Sequence, residues 1–228
     1  METADFARAF EYENGFYATA SLARISKFVT HLDLFRRSQG LPGEIVECGV
    51  FKGNSLFRLV KFRDLLESPA SRKVIAFDIF GKFPDDAGAE DRQTLDQFLQ
   101  AAGCQGRDRQ EIAALLDGAG CGANVELVAG DVRESISSYL ERVPQLRVSL
   151  LHVDVDLYEP TKVALELLFP RLVPGGIAIL DDYGAFPGAN RAIEEYFAAS
   201  GEVVRKLPHA NAIAYVEKGW RPLAERGT

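Results

Sequence analysis

The chain has 228 residues, 47% of them hydrophobic and 26% charged, which is typical of a soluble globular protein with one large domain or one domain with appendages. Its formal net charge of −7 argues against binding to a nucleic-acid backbone, which favours clustered Lys and Arg side chains. No uninterrupted apolar run approaches the roughly 20 residues that span a bilayer, so we expect no membrane contact.

The N-terminal part, residues 1–40, is predicted to be a helical extension. Apolar residues recur with helical periodicity over 4–39, which predicts two or three helices, broken near Asn14-Gly15. An apolar helical stripe beside a complete sheet domain needs a covering surface, supplied either by a second copy of the chain or by the chain itself. We expect a homodimer or a larger homo-oligomer.

A glycine-containing loop follows the first predicted strand, residues 44–48. The loop reads Glu47-x-Gly49-x-x-x-Gly53 and leads into a helix over Ser55–Glu67. Glycines at such a turn let the backbone approach a ligand closely, and the helix start offers unpaired N–H groups. The spacing differs from the GxGxxG of a dinucleotide fold and from the GxxxxGK of a P-loop. The alternative is that both glycines only form the turn.

A long irregular segment separates the second and third predicted strands. Strand two is Val74–Phe77 and ends at Asp78, while strand three is Val125–Val128 with Gly130-Asp131 beyond it. The segment between them, 81–123, is rich in glycine and acidic residues. Since a simple crossover needs fewer residues, we expect this insertion to include a lid or a specificity loop.

The remaining elements continue an alternating pattern. Strand four is Val148–Val153, a helix follows, and Pro174-Gly175-Gly176 turns into strand five, Ile177–Leu180. One more helix and two closing strands, at 203–207 and 212–216, complete the chain. The pattern predicts an α/β fold with a mostly parallel, seven-stranded sheet and an antiparallel edge pair.

Acidic residues stand directly after strands four and five. Asp154 and Asp156 follow strand four, and Asp181-Asp182 follows strand five. Ligands bind outside the carboxyl ends of strands in such sheets, so we expect these groups at one edge. Carboxylate oxygens suit a hard cation such as Mg²⁺, and a cation compensates like charges packed closely together. The alternative is that Asp181-Asp182 caps a turn and that Asp156 is merely solvated.

Four motifs form one set, namely Glu47-x-Gly49-x-x-x-Gly53, Asp154-x-Asp156-x-Tyr158, Pro174-Gly175-Gly176 and Asp181-Asp182-Tyr183. The last three closely resemble the macrocin O-methyltransferase (TylF/MycF-like) family. The first resembles the opening motif of class I S-adenosylmethionine-dependent methyltransferases. The resemblance implies a Rossmann-like class I methyltransferase domain over 41–228. It also implies methylation of a deoxysugar hydroxyl with S-adenosylmethionine and Mg²⁺.

The resemblance also implies residues for two sites by their position. Those at cofactor positions are Glu47, Gly49, Gly53, Ser55, Asp78 and Asp131. Those at metal-ligand positions are Asp154, Asp181 and Asp182. The chain departs from the family after strand two, where Asp78-Ile79-Phe80-Gly81-Lys82-Phe83-Pro84 replaces the frequent Asp-Ser-Phe-x-Gly-Phe-Pro. Segment 84–123 and the N-terminal helices also match poorly, so the resemblance informs the chemistry better than the substrate.

Two residues are candidates for taking the proton of the acceptor hydroxyl. Asp154 can serve both as a metal ligand and as the base. His209 lies in the turn between the closing strands and is a candidate base or substrate contact; the alternative is an exposed loop residue. His152, inside strand four, is interpreted as a buried structural residue.

Two other activities would use the same carboxylates. One is Mg²⁺-dependent methylation of a catechol or phenolic metabolite, which a basic, aromatic acceptor pocket would favour. The other is a metal-dependent hydrolase without a methyl donor. The three cysteines have no CxxC spacing and residues 1–5 have no secretory-signal pattern, so we expect a cytoplasmic protein.

Overall fold

The computed structural model describes residues 4–84 and 87–219. Its α-helices are α1 (Ala9–Thr19), α2 (Leu22–Arg37), α3 (Asn54–Leu66), α4 (Arg92–Ala102), α5 (Arg109–Gly118), α6 (Val132–Arg142), α7 (Tyr158–Leu168) and α8 (Pro187–Ser200). Its strands are β1 (Glu44–Cys48), β2 (Val74–Asp78), β3 (Val125–Ala129), β4 (Val148–Val153), β5 (Leu172–Leu180) and β6 (Ala214–Glu217). Short 3₁₀ helices occupy Phe6–Arg8 and Phe169–Arg171.

The strands form one sheet in the order β3-β2-β1-β4-β5-β6. All neighbouring pairs are parallel except β5 and β6, which are antiparallel. The predicted α/β, Rossmann-like class I architecture is therefore confirmed. The strand order reverses between β1 and β4, and this is where an open α/β sheet leaves a crevice for ligands at its carboxyl edge.

Both faces of the sheet are covered by helices, which explains the unbroken apolar runs of the central strands. One core cluster joins the sheet to α6, α7 and α8, with Ile136, Leu165 and Phe197 as members. The other joins it to α2, α3 and α5, through Leu34, Leu59 and Ile112 among others. The helical covering leaves the carboxyl edge of the sheet to the loops.

The prediction of a seventh strand at 203–207 is wrong within the described residues. Arg205 makes only an isolated antiparallel bridge to Tyr215, with hydrogen bonds of 2.8 Å in each direction. Val203 is 62% exposed, whereas Val204 and Leu207 pack against the two core clusters, so the segment lies beside the sheet without forming a hydrogen-bond ladder. Pro208 follows with no N–H to donate to a ladder. Among residues 4–84 and 87–219 the sheet consequently has six strands.

The Pro174-Gly175-Gly176 sequence is a bulge within β5, not a turn before it. Leu172 pairs with Val148, but Ile177 already pairs with Leu150, so the residues between them loop out of the register. The Gly175 N–H donates to the carbonyl of Lys218 at 2.8 Å, which ties the bulge to the residue that follows β6. β5 therefore begins earlier than the sequence predicts.

The two N-terminal helices differ in how they contact the rest of the chain. α1 has no buried residue, and its Phe10 and Tyr17 are 76% and 70% exposed. α2 packs on the sheet domain and buries Thr30, His31, Leu34 and Phe35. None of the helices in the described ranges has the length and apolar character needed to cross a bilayer.

Candidate active site

Two cavities open at the carboxyl edge of the sheet and share part of their walls. The larger, about 570 Å³, lies under α2 and the start of α3. The smaller, about 90 Å³, lies beside the loop after β2 and the start of α6. Residues common to both walls are Gly49, Phe51, Asp154 and Asp156. A ligand in one cavity can therefore meet a ligand in the other at this junction.

Gly49 lies at the junction of the cavities, with its backbone close to that of Asp154. A Cβ built on it would lie 1.7 Å from the backbone oxygen of Asp154, and its φ is +91°. The Gly49 N–H donates to Phe77 O, and the Asp154 N–H donates to Cys48 O, each at 2.9 Å. These hydrogen bonds join the carboxyl ends of β2, β1 and β4. The backbones are so close at Gly49 that only glycine fits there.

We expect Gly49→Ala to lower the free energy of unfolding by about 3 kcal/mol, because the added methyl group collides with backbone that cannot move independently. Urea unfolding of the purified variant measures this. Gly184→Ala is the matched control, since Gly184 has a similar φ of +86° but no atom within 4 Å of the added Cβ. Equal losses in both variants would show that the backbone angle alone matters and that the collision does not.

Asp78 and Asp131, two predicted cofactor residues, both line the smaller cavity. Asp78 Oδ2 accepts hydrogen bonds from the backbone N–H groups of Val50 (2.6 Å) and Phe51 (3.0 Å), and so fixes the glycine loop. Asp131 caps α6 by accepting from Arg133 N at 2.9 Å and also forms an ion pair with the Arg133 guanidinium. Both carboxylates shape the cavity wall while remaining at its surface.

The other predicted cofactor residues are more scattered. Ser55 lines the larger cavity. Gly53 adopts a left-handed conformation at the start of α3 and packs against Phe57, behind the cavity walls. Glu47 is fully buried, and its Oε1 lies 3.0 Å from His152 Nδ1. The structure thus brings Gly49, Asp78 and Asp131 together but places Glu47 beneath them.

Three carboxylates cluster at the junction of the cavities, from Asp154, Asp156 and Asp182. One oxygen of each lies within 4.8 Å of the other two. Burial, and next the charge of Asp181, raises the pKa of Asp154 to about 6. Burial and then the charge of Asp154 raise the pKa of Asp156 to about 8. Burial and the charge of Asp156 raise the pKa of Asp182 well above its usual value.

Lys27, whose Nζ lies 4.0 Å from Asp154 Oδ2, opposes this repulsion but does not outweigh it in the raised pKa values of the cluster. A buried set of oxygen ligands in mutual repulsion fits a hard divalent cation such as Mg²⁺, which would remove that repulsion. Asp154 and Asp182 belong both to this cluster and to the predicted ligand set. Asp156, which the sequence suggested only as a nearby carboxylate, is the third member.

Asp181 faces a different group of side chains. Its Oδ2 forms an ion pair with Lys27 on α2, and its Oδ1 lies 3.3 Å from both His31 Nε2 and His152 Nε2. Burial raises the pKa of Asp181, but the charge of Lys27 and the two histidine hydrogen bonds hold it well below its usual value. Asp181 is therefore an anion whose charge is balanced by Lys27 and by the hydrogen bonds to the two histidines.

The two histidines extend this group into a buried network. Burial alone would lower the pKa of His152, but hydrogen bonds to Asp181 and Glu47 raise it to about 10, so His152 is a cation. Burial lowers the pKa of His31 to about 4, so His31 is neutral. Its Nδ1 lies 3.4 Å from Arg58 Nη1 and accepts from that guanidinium. The network runs from Glu47 through His152, Asp181 and His31 to Arg58.

Sequence reasoning missed Lys27 and His31, although a pattern was available. The two residues stand four apart on a helix and so share one face, where apolar residues would be expected if that face only packed on the sheet. The Glu47–His152 pair could also have been predicted, because the two residues are partners in the β1–β4 register.

His209 lies outside the walls of both cavities. Its side chain is 40% exposed, and its Nε2 is 3.3 Å from Asp33 Oδ2. The backbone oxygen of His209 accepts a 2.6 Å hydrogen bond from Ser26 Oγ, which ties the turn to α2. Asn211, Ala212 and Ile213 from the same turn line the larger cavity instead.

Curated proteins similar to this chain are natural-product methyltransferases. One is the 8-demethyl-8-(2,3-dimethoxy-alpha-L-rhamnosyl)-tetracenomycin-C 4'-O-methyltransferase of Streptomyces olivaceus, 32% identical over 70% of this chain and 59% of that protein. Another is the mycinamicin III 3''-O-methyltransferase of Micromonospora griseorubida, 28% identical over 69% of this chain and 61% of that protein. The chain spans about three fifths of the length of these relatives.

Solved structures share the fold. CalS11, a calicheamicin methyltransferase, superposes with a TM-score of 0.72 at 27% identity, covering 94% of this chain and 87% of that one. The O-methyltransferase NovP gives a TM-score of 0.73 at 21% identity, covering 86% and 81%. The macrocin O-methyltransferase (TylF) family model matches residues 17–214. Because this match runs from the end of α1 to the start of β6 and includes the walls of both cavities, the chain belongs to the macrocin O-methyltransferase (TylF) family.

Proposed function

We propose that the chain is an S-adenosylmethionine-dependent O-methyltransferase that uses Mg²⁺ and methylates a sugar hydroxyl of a nucleotide-linked deoxysugar or a glycosylated natural product. The observation that carries this proposal is the meeting of two cavities at Gly49 and Asp154, with a carboxylate cluster at the junction. The tetracenomycin relative is named as an O-methyltransferase of a rhamnosyl compound, which supports a sugar acceptor.

The methyl donor is assigned to the smaller cavity and the junction. Asp78 and Asp131 border that cavity, where Asp78 can bind the ribose hydroxyls and Asp131 can lie beside the adenine. The methionine part would pass Gly49 and Asp154, which line both cavities, and reach Ser55 in the larger cavity. Glu47 then supports the loop through His152 and does not touch the donor.

The metal is assigned to the carboxylates at the strand ends. Asp154 and Asp182 are proposed as ligands because they belong both to the family pattern and to the observed cluster. The third ligand is Asp181 if the family pattern applies, or Asp156 if the observed cluster binds the metal. A divalent cation bound there would lower the pKa of an acceptor hydroxyl and fix the position of its oxygen.

Asp154 is the proposed base, because its carboxylate borders both cavities. As the acceptor oxygen attacks the methyl carbon, the bond from that carbon to the sulfonium sulfur breaks and sulfur keeps the electron pair. The proton of the hydroxyl passes to a carboxylate oxygen of Asp154. Since His209 faces Asp33 at the surface, its proposed role is limited to positioning the turn that carries Asn211.

A phenolic or catechol acceptor is a second candidate, and one feature of the larger cavity favours it. Its wall combines the aromatic rings of Phe51, Phe98 and Phe186 with the basic side chains of Arg24 and Arg58. Aromatic and basic side chains of this kind can stack on the ring of a phenolic acceptor as well as contact a sugar. An acceptor panel that contains both catechols and deoxysugars distinguishes the two.

We expect methyl transfer to stop when the metal is removed. The protein is incubated with methyl-labelled S-adenosylmethionine and the acceptor panel, then with excess EDTA, and finally with Mg²⁺ restored. Labelled product should form, fall to background with EDTA and return with Mg²⁺. Undiminished transfer in EDTA would contradict the role given to the metal but leave the methyltransferase assignment intact.

We also propose that the protein is a cytoplasmic homo-oligomer. An 11-residue helix such as α1 is marginally stable in isolation, and α1 exposes Phe10 and Tyr17 without burying any residue. A second copy packed on α1 would cover these rings. Sedimentation velocity of the intact chain measures the oligomeric state, and a monomer at all concentrations would contradict this part of the proposal.

A further inference from the structure

The larger cavity carries basic side chains that no carboxylate pairs with directly. Arg24 on α2, Lys52 in the glycine loop and Arg58 on α3 all line this cavity. The carboxylates of Asp154, Asp156 and Asp182 line it as well, and the cation beside them is Lys27.

The charges near Arg58 are already paired among themselves. Glu47 Oε1 lies 3.0 Å from His152 Nδ1, and Asp181 forms an ion pair with Lys27. The contact made by the Arg58 guanidinium is to His31 Nδ1, at 3.4 Å. Within residues 4–84 and 87–219, no carboxylate lies within ion-pair distance of Arg58 or Arg24.

The two guanidinium groups also repel each other. Burial lowers the pKa of Arg58, and Arg24 acts in the same direction, whereas Asp181, Glu47 and Asp154 oppose them at longer range. A half-buried guanidinium without a counter-ion costs free energy that a protein recovers only when an anion binds. Lys52 adds a third cation, which in this structure donates to the backbone oxygen of Ala102.

Planar guanidinium groups bind phosphate oxygens in pairs and more strongly than neutral donors do. We propose that Arg24 and Arg58, assisted by Lys52, form a subsite for the diphosphate of a nucleotide-linked sugar. The acceptor is then the activated sugar before its attachment to a natural product, and a neutral glycoside would leave these cations unpaired. This inference rests on the proposed function and narrows its acceptor to an anionic class.

The size of the cavity agrees with such an acceptor. About 570 Å³ falls within the range of pockets that enclose a small organic ligand. A sugar at the carboxylate end places its hydroxyl near Asp154, and the diphosphate then extends toward α2 and α3. The reaction that supplies this substrate would be the formation of a nucleotide-linked deoxysugar, and a glycosyl transfer would consume the product.

The test is calorimetric titration of the intact, metal-free protein with inorganic pyrophosphate, and in parallel with S-adenosylhomocysteine. We expect the wild type to bind both. Arg24→Gln and Arg58→Gln should each weaken pyrophosphate binding by about tenfold, the loss of one charge-assisted contact, with unchanged S-adenosylhomocysteine affinity. Arg36→Gln is the matched control, because Arg36 is exposed on α2 and does not line the cavity.

Three results would overturn the inference. These are absence of pyrophosphate binding to the wild type, unchanged binding in both cavity variants, and a parallel loss of S-adenosylhomocysteine affinity. The last would mean that the cations serve the carboxylate of the methyl donor. Pyrophosphate binding without S-adenosylhomocysteine binding would instead keep this subsite and refute the proposed methyltransferase activity, so the two failures are distinguishable.

Discussion

Replacing either Asp154 or Asp182 with asparagine should reduce methyl transfer by about 10³-fold, the scale of losing one preorganised electrostatic contact to the reacting atoms. Both carboxylates belong to the cluster at the junction of the two cavities. Asparagine keeps the size of the side chain but removes the negative charge that would hold a cation. Asp154→Asn additionally removes the proposed base. Initial rates at saturating S-adenosylmethionine measure the loss.

The donor site supplies the internal control for these variants. S-adenosylhomocysteine should bind Asp182→Asn with wild-type affinity, because Asp182 does not line the smaller cavity, and it should still bind Asp154→Asn through Asp78 and Asp131. Asp33→Asn is the matched surface variant, since Asp33 is a partner of the exposed His209 and lies outside both cavities. Turnover within about tenfold of the wild type in either cluster variant would refute a metal-centred mechanism.

Replacing His152 with leucine should lower the free energy of unfolding by about 3–5 kcal/mol, because it removes the cation between two buried anions. Glu47 Oε1 lies 3.0 Å from one ring nitrogen of His152, and Asp181 Oδ1 lies 3.3 Å from the other. His152 is fully buried, as is Glu47. Urea unfolding monitored by circular dichroism measures the change.

Two further variants test whether charge, not packing, causes that loss. The double variant Glu47→Gln/His152→Leu should recover part of the stability, since it removes the uncompensated carboxylate as well. His209→Ala, which removes an exposed contact with Asp33, should cost less than about 1 kcal/mol. A His152→Leu loss as small as that of His209→Ala would mean that the buried network is not ionised as described.

The sequence allowed the sheet and its acidic edge to be predicted, because both depend on local patterns. Buried parallel strands appear as short apolar runs in the sequence. The residues that follow them lie at the carboxyl edge of the sheet, independently of how the helices pack. This is why Asp78, Asp154 and Asp182 lie at cavity walls as expected. The prediction of a closing strand at 203–207 was wrong, because this segment makes only an isolated bridge from Arg205 to Tyr215.

The sequence could not predict that Asp181 and Asp182 would belong to two different groups of side chains. Successive side chains at the end of a strand point to opposite faces, so only one of the two can join Asp154 and Asp156. Asp181 instead meets Lys27 and His31, which are about 150 residues away in the chain. Contacts at that separation depend on where α2 docks, and no local pattern specifies that.

The most direct test of the proposed activity is a calorimetric titration of the metal-stripped wild-type protein with S-adenosylhomocysteine. We expect binding at one site per chain without added metal, because the smaller cavity and Gly49 form the donor site independently of the carboxylate cluster. Absence of binding, with and without Mg²⁺, would contradict the methyltransferase assignment. It would leave a carboxylate metal site on an α/β fold and favour a metal-dependent hydrolase.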